Sequence, residues 1–100
     1  MLYSKQVNEG QTSFIWDLSR ESANIRKHGI DFNTAAKAFK DSKRKIYIDA
    51  KHSLKEERLF CIGKVEKKIV TVRFIYRDDK IRIFGAGYWR KGKACYEKND

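Results

Sequence analysis

The amino-acid sequence predicts an α+β fold, in which an N-terminal strand, two helices and a short C-terminal helix pack on an antiparallel sheet of about four strands. Residues at helical spacing fill the first half of the chain, between capping residues. The second half contains β-branched and aromatic runs separated by short polar turns. Because helices and hairpin-linked strands occupy separate stretches, the pattern favours α+β over an alternating α/β arrangement. Proline is absent, which fits uninterrupted elements.

We expect residues 1–13 to be a flexible leader and residues 14–98 to form a single domain. The leader is polar, has no apolar period and lacks the apolar centre of a signal peptide. A chain of 100 residues suits one domain with a modest core. No apolar run reaches the ~18 residues that span a bilayer. We therefore expect a cytoplasmic protein that does not contact membranes.

The helices are predicted from their capping residues. Asp17 or Ser19 is expected to cap the first helix, which stops at Gly29. Asp31 is expected to cap the second helix, because apolar residues follow it at helical spacing. This apolar stripe contains Phe32, Ala35, Ala36 and Phe39.

The strands are predicted from β-branched and aromatic runs bounded by polar residues. The expected strands are Phe14–Trp16, Arg44–Asp49, Arg58–Val65, Ile69–Tyr76 and Lys80–Gly85, and the terminal helix is expected over Tyr88–Lys98.

Net charge narrows the class of partner. Lys and Arg number 23 against 13 Asp and Glu, which gives a formal net charge of +10. Such a charge favours polyanions, with nucleic acid foremost. Cys61 and Cys95 are far apart and form no metal-binding pattern with the two histidines. We therefore expect two reduced thiols, no metal and no cofactor.

Strand register can be estimated from the two predicted turns, Glu66-Lys67 and Asp78-Asp79. Two-residue loops pair Tyr76 with Ile81, Phe74 with Ile83, Val72 with Gly85, Arg73 with Phe84, Leu59 with Phe74, and Cys61 with Val72. Because side chains alternate along a strand, three arginines from three strands then share one face. These are Arg58, Arg73 and Arg82, with Phe60 and Phe84 between them.

Three guanidinium groups on one face repel each other, which makes sense where an anion binds there. Arginine suits phosphate because its planar fork donates two parallel hydrogen bonds. Interleaved aromatic rings can stack on unpaired bases. The alternative is a solvated face on which the arginines pair with Glu56, Glu57 or Asp49, and a turn of a different length would invert the faces.

The ordered motifs resemble the BrnT family of bacterial toxins, ribonucleases related in fold to the RelE group. Asn24–Phe32 resembles the family segment N-x-x-K-H-G-[VI]-x-F, and Asp49–Arg58 resembles the motif D-x-x-H-S-x-x-E-E-R. Other matching pieces are Phe14–Asp17, Ala35-Ala36, Phe39–Asp41, Ile62-Gly63, Ile81–Ile83 and Tyr96-Glu97. The similarity covers about Phe14 to Glu97. One departure is that Gly87 and Tyr88 stand where many members carry two basic residues.

The resemblance implies a toxin of a type II toxin–antitoxin system that cuts RNA without a metal and inhibits translation. It implies that mRNA is the substrate and that a BrnA-like antitoxin encoded beside the toxin silences it. The antitoxin binds DNA, so operator DNA is contacted only through the complex. The departure at Gly87 leaves two outcomes open, namely substitution by Arg90 or Tyr88, or weaker activity.

Metal-free cleavage of RNA needs a base, an acid and cations around the reacting phosphate. The candidate catalytic residues are His28, Lys27, Glu57, Arg58 and Arg82. The candidate RNA-binding residues are Arg73, Lys80, Tyr88, Trp89, Arg90 and Lys91. Histidine is the first candidate for proton transfer because its side chain titrates near neutral pH.

Each assignment has a structural alternative. His28 can offset the helix dipole, Trp89 can anchor the terminal helix to the sheet, and His52 with Ser53 can order their loop. At the level of the whole chain, two alternatives are a non-catalytic RNA- or DNA-binding module and a protein-interaction module that binds an acidic helix.

Overall fold

The computed structural model describes residues 4–9 and 12–98, and its elements confirm the α+β class. The elements are β1 (Ser4–Glu9), β2 (Thr12–Asp17), α1 (Leu18–His28), α2 (Phe32–Ala36), a 3₁₀ turn (Lys37–Lys40), β3 (Lys45–Ile48), a second 3₁₀ turn (Ala50–His52), β4 (Leu59–Val65), β5 (Lys68–Arg77), β6 (Lys80–Gly87) and α3 (Arg90–Glu97).

The sheet is larger than expected and mixed. Its six strands lie in the order β1-β2-β6-β5-β4-β3. The prediction of about four antiparallel strands is corrected in two respects, because the sheet has six described strands and β2 runs parallel to β6. A parallel pair needs a long crossover, and the segment from α1 to β5 supplies it.

Part of the expected flexible leader is a strand. Ser4–Glu9 pairs antiparallel with β2, from Ser4 opposite Asp17 to Glu9 opposite Thr12. An edge strand can be held by backbone hydrogen bonds to its neighbour without an apolar face of its own. The polar sequence of β1 therefore shows no alternating pattern from which the strand could be predicted. Thr12 and Ser13, also predicted to belong to the leader, begin β2, and leader positions 1–3 and 10–11 lie outside the described residues.

The predicted caps define the helices. Asp17 caps α1, since its carboxylate accepts hydrogen bonds from the backbone N–H groups of Ser19 and Arg20 at 2.8 and 3.4 Å. Hydrogen bonds from Ser19 hold the pKa of Asp17 below its ordinary value. Gly29, with φ of 71°, ends the helix and donates its N–H to Ile25 O at 2.9 Å. Asp31 caps α2 by accepting from Thr34 N–H.

Helices α1 and α2 cover one face of the sheet, which we call the inner face. Trp16 from β2 meets Phe32 from α2 edge to face, with ring centroids 5.9 Å apart. The first 3₁₀ turn approaches β4 closely at Gly63, where a Cβ would lie 2.3 Å from Ala38 O. Glycine is therefore required at this contact. The opposite side of the sheet, which we call the outer face, carries α3 and the arginines.

The β5–β6 hairpin confirms the predicted register as far as Phe74. Asp78 and Asp79 form its turn with φ of 53° and 62°. The pairs Tyr76–Ile81 and Phe74–Ile83 are present, and so are Leu59–Phe74 and Cys61–Val72 between β4 and β5.

Beyond Phe74 the predicted register is wrong by one residue. A bulge places Arg73 opposite Gly85 and Val72 opposite Ala86, instead of Phe84 and Gly85. The extra residue in β6 turns Ala86 into the core and leaves Gly85 on the outer face.

Candidate functional site

Two arginines converge on one aromatic ring on the outer face. The guanidinium carbons of Arg58 and Arg73 lie 5.1 and 5.2 Å from the centroid of Phe84. Arg82 lies two residues before Phe84 in β6 and therefore shares its face. Phe60 pairs with Arg73 across β4 and β5. The expected gathering of positive side chains and phenylalanines on one face is present despite the bulge.

The carboxylates of Glu56 and Asp49 pair elsewhere. Among residues 12–98, no Asp or Glu forms an ion pair with any of the three arginines. Glu56 pairs instead with Arg77 at 2.9 Å, and Asp49 pairs with His52 at 2.9 Å. Within residues 12–98, therefore, no carboxylate competes with an external anion for these positive charges.

The loop before β4 positions Arg58 through its backbone. Asp49 N–H donates to Arg58 O at 2.7 Å, and Arg58 N–H donates to the Ser53 hydroxyl at 3.0 Å. The same hydroxyl donates to Asp49 O at 2.6 Å. His52 and Ser53 thus order their loop, as the structural alternative predicted. The motif from Asp49 to Arg58 closes a loop whose end delivers Arg58 to Phe84.

Two glycines of β6 make room for large side chains on the outer face. A Cβ on Gly85 would lie 3.2 Å from Arg73 Nε, and a Cβ on Gly87 would lie 2.5 Å from Trp89 Cε2. The guanidinium group and the indole therefore occupy the space that side chains at these positions would take. Since the glycines are two residues apart in a strand, their Cα atoms are about 7 Å apart.

His28 joins this surface through Trp89. The imidazole meets the indole edge to face, with centroids 5.2 Å apart and planes at 81°. The half-buried Trp89 therefore fits the anchoring role, and its contact with His28 also places it at the candidate site.

Asn24 anchors the helix that carries His28, and sequence analysis missed it. Its Nδ2 donates to Ile30 O at 3.0 Å and to Ala86 O at 2.9 Å, and its Oδ1 accepts from Ala86 N–H at 3.1 Å. Asn24 and His28 share one helix face, being four residues apart. The available signal was its place at the start of the segment Asn24–Phe32, in a helix of which Asn24 is the buried residue.

The contacts form two neighbouring groups along the end of β6, which together we call the outer strip. It consists of His28, Trp89, Gly87, Gly85, Arg73, Phe84 and Arg58. Its two ends carry a group able to transfer protons and a pair of guanidinium groups.

The remaining predicted site residues lie at varied distances from the outer strip. Lys27 and Glu57 are exposed next to His28 and Arg58. Lys80 begins β6 and, at seven residues from Gly87, lies about 20 Å from the Trp89 end. The structure does not bring Lys80 and Trp89 together.

The residues after β6 divide around α3. Tyr88 and Arg90 line one side of the helix, and Lys91 lines an apolar groove on the other side, with Phe60 and Trp89. The predicted RNA-binding residues in this segment therefore do not face a single ligand position.

Three further features concern the cysteines, metal binding and the membrane. Cys61 is buried, which raises the pKa of its thiol to about 12, and Cys95 is half-buried. In the described ranges, no group of three His, Cys, Asp or Glu side chains is placed to hold a metal ion. No described helix has both the length and the apolar character needed to cross a membrane.

A family model described as "Ribonuclease toxin, BrnT, of type II toxin-antitoxin system" matches residues 16–92. No curated protein matches the chain. The matched segment contains every residue of the outer strip.

Proposed function

Because the chain belongs to the BrnT family of ribonuclease toxins of type II toxin–antitoxin systems, we propose that it cuts RNA at the outer strip without a metal ion. The observation that carries this proposal is the pair of guanidinium groups on Phe84, which have no carboxylate partner among residues 12–98 and lie on the stretch of β6 that also packs against Trp89, the neighbour of His28. The ribose 2′-hydroxyl attacks the adjacent phosphate, and the products are a 2′,3′-cyclic phosphate and a 5′-hydroxyl.

Arg58 and Arg73 hold the phosphate in this mechanism. Their charges lie on one ring and have no carboxylate partner among residues 12–98. They stabilise the extra negative charge that develops on the phosphorane, because fixed positive donors act most strongly where charge appears. Arg82 extends the same row and contacts the next phosphate.

His28 takes the proton from the attacking 2′-hydroxyl and returns it to the departing 5′ oxygen. The edge-to-face contact with Trp89 orients its ring, and Asn24 anchors its helix. Glu57 is the second candidate for the base, because it precedes Arg58 and is exposed. Lys27 adds positive charge beside His28. General acid–base catalysis of this kind contributes about 10²–10⁴-fold to the rate.

The proposed partners follow from the family. A type II toxin has a protein antitoxin, and we take the partner to be BrnA-like, acidic where it covers the outer strip, and able to bind operator DNA in the complex. Cleavage of mRNA then inhibits translation until the antitoxin is resupplied.

The test is cleavage of single-stranded RNA by the purified chain with EDTA present. We expect 2′,3′-cyclic phosphate ends, loss of cleavage when the RNA carries 2′-O-methyl groups, and a rate at least about 10²-fold lower for Arg58→Ala or His28→Ala. Arg20→Ala, an exposed arginine on α1, is the matched control and should keep the wild-type rate. Equal rates for Arg58→Ala and Arg20→Ala would refute the assignment of the outer strip.

A non-catalytic RNA-binding module is the second candidate. The packing of Trp89 over Gly87 favours it, because an aromatic ring fills the place where many relatives carry a basic residue. Under this alternative the chain binds RNA with strong salt dependence and the RNA is recovered uncut. New cyclic phosphate ends would eliminate it.

A further inference from the structure

A second positive surface adjoins the outer strip, between α3 and the β4–β5 hairpin. This basic cleft has a volume of about 480 Å³. Its basic side chains are Lys64, Lys67, Lys68, Arg90 and Lys93, and its acidic side chain is Glu97. Among the described residues, these five positive charges outnumber the single carboxylate, so the cleft has a net positive charge.

An aromatic ring stands in the wall of the cleft. Tyr88 is 42% exposed, and Lys68 Nζ lies 4.9 Å from the centroid of its ring. Because Lys68 covers one side of this partly exposed ring, the rest of the ring can stack on a planar ligand. The combination of backbone-tracking cations and a stacking ring is typical of sites for unpaired nucleotides.

The cleft lies next to the outer strip along the chain. Trp89 belongs to the outer strip, whereas its neighbours Tyr88 and Arg90 line the cleft on the other side of α3. Because consecutive Cα atoms are about 3.8 Å apart, the wall of the cleft begins close to the backbone at Trp89, and one RNA strand can contact both.

We propose that the basic cleft binds the unpaired nucleotides that flank the cleaved phosphate, with one base stacked on Tyr88 and successive phosphates on Lys67, Lys68 and Lys93. The inference rests on the proposed function, since it supplies that RNA with a path away from the outer strip. It assigns a role to the turn end of the β4–β5 hairpin, residues 64–68, which carries none of the catalytic candidates.

The test measures binding without cleavage. A single-stranded 2′-O-methyl RNA of about twelve nucleotides, within the ~4–16 that single-strand-binding domains cover, lacks the attacking hydroxyl. Its affinity is measured by fluorescence anisotropy over a range of salt concentrations. The variant is Lys67→Gln/Lys93→Gln, and the charge-matched control is Lys37→Gln/Lys43→Gln, whose lysines do not line the cleft.

Loss of two phosphate contacts should reduce the slope of log K against log salt by about 1.4, since each contact with a single strand contributes about 0.7. The same arithmetic gives about 25-fold weaker binding at 0.1 M salt and almost no difference at 1 M. Tyr88→Leu should weaken binding about 5- to 150-fold, and Tyr88→Phe should leave it unchanged. Tyr76→Leu, which removes another exposed tyrosine, is its control.

Equal slopes for the two double variants would refute the proposal that the cleft binds RNA. Equal loss of affinity for duplex and single-stranded RNA in the Lys67→Gln/Lys93→Gln variant would refute it as well. Either result would leave the cleavage test of Arg58 untouched. Conversely, intact binding of this RNA with no cleavage of its unmodified form would refute the catalytic proposal and leave the cleft standing.

Discussion

Replacing Gly87 by alanine tests the packing that joins His28 to the rest of the outer strip. Gly87 lies in the extended strand β6, where an alanine backbone is well accepted. The added Cβ would lie 2.5, 2.7 and 2.9 Å from Trp89 Cε2, Cζ2 and Cδ2. Carbon atoms in ordinary contact are about 3.5–4.0 Å apart, so the indole must move by about 1 Å.

The expected change in the free energy of unfolding is the sum of two opposing effects. Crowding of this kind costs about 1–3 kcal/mol, and the half-buried Trp89 favours the lower part of that range. Alanine also restricts the unfolded chain, which returns about 0.4–1 kcal/mol. We expect the free energy of unfolding to fall by about 1 kcal/mol, which lowers the Tm by about 4–8 °C in a domain of this size.

The assay combines urea denaturation, followed by far-UV circular dichroism, with NMR of the two histidines. Movement of the indole should shift the ring protons of His28 and leave the exposed His52 as an internal reference. Gly85→Ala is the matched control for stability, because its Cβ would meet Arg73 Nε at 3.2 Å, on a side chain that can move. It should change stability by less than about 0.5 kcal/mol.

A double-mutant cycle isolates the contact. In a Trp89→Leu background the indole is absent, so Gly87→Ala should cost nothing or stabilise by about 0.4–1 kcal/mol. The reasoning is refuted if Gly87→Ala destabilises the Trp89→Leu protein as much as it destabilises the wild type. An unchanged His28 spectrum in Gly87→Ala would refute it as well.

Three further predictions concern the contact between Tyr96 and Asp41, the anchoring of α1 by Asn24, and the burial of the two cysteines. Tyr96 donates its hydroxyl to Asp41, which raises the pKa of Tyr96 from 10.0 to about 12, so stability should fall as pH rises through this interval. In urea titrations the fall should be smaller for Tyr96→Phe, in which the raised pKa of the buried Cys61 thiol still contributes, and an equal fall would contradict the contact. Asn24→Leu should lower the free energy of unfolding by about 3 kcal/mol or more, since it strands buried backbone groups, and a loss below 1 kcal/mol would contradict the anchoring role. Cys95 should react with a thiol reagent in the folded protein, whereas Cys61 should react only on unfolding; equal rates would be inconsistent with its burial.

The parts of the fold that sequence predicts well are those with local chemical causes. Asp17, Gly29 and Asp31 act within a few residues of themselves, so caps can be identified without knowledge of the tertiary structure. The turn at Asp78-Asp79 fixes the hairpin pairs next to it for the same reason.

The errors arise where pairing depends on distant residues. The bulge at Phe84 and Gly85 leaves no mark on the apolar pattern, because Phe84 is apolar on the outer face and glycine indicates neither face. Strand β1 owes its existence to the ladder with β2, and its own sequence is polar. The parallel pairing of β2 with β6 joins segments more than 60 residues apart, which a local pattern cannot reveal.

The candidate site divides in the same way. The arginines and Phe84 could be placed on one face from alternation alone, which tolerates the bulge because Arg73 faces both Phe84 and Gly85. The link between His28 and Trp89 could not be predicted, since it depends on how α1 and the segment after β6 meet in space. Asn24 was hidden because its partner, Ala86, is 62 residues away.

The choice of Phe84 as the support for two arginines has a consequence for binding. A guanidinium over an aromatic ring gains about 0.5–1 kcal/mol at an exposed site, enough to bias its position without cancelling its charge. A carboxylate would hold each arginine as well but would compete directly with a phosphate. The ring therefore pre-positions both charges and leaves their mutual repulsion to be relieved by an incoming anion. Preorganised positive charge of this kind stabilises a transition state that is more negative than the substrate, which is what RNA cleavage without a metal requires.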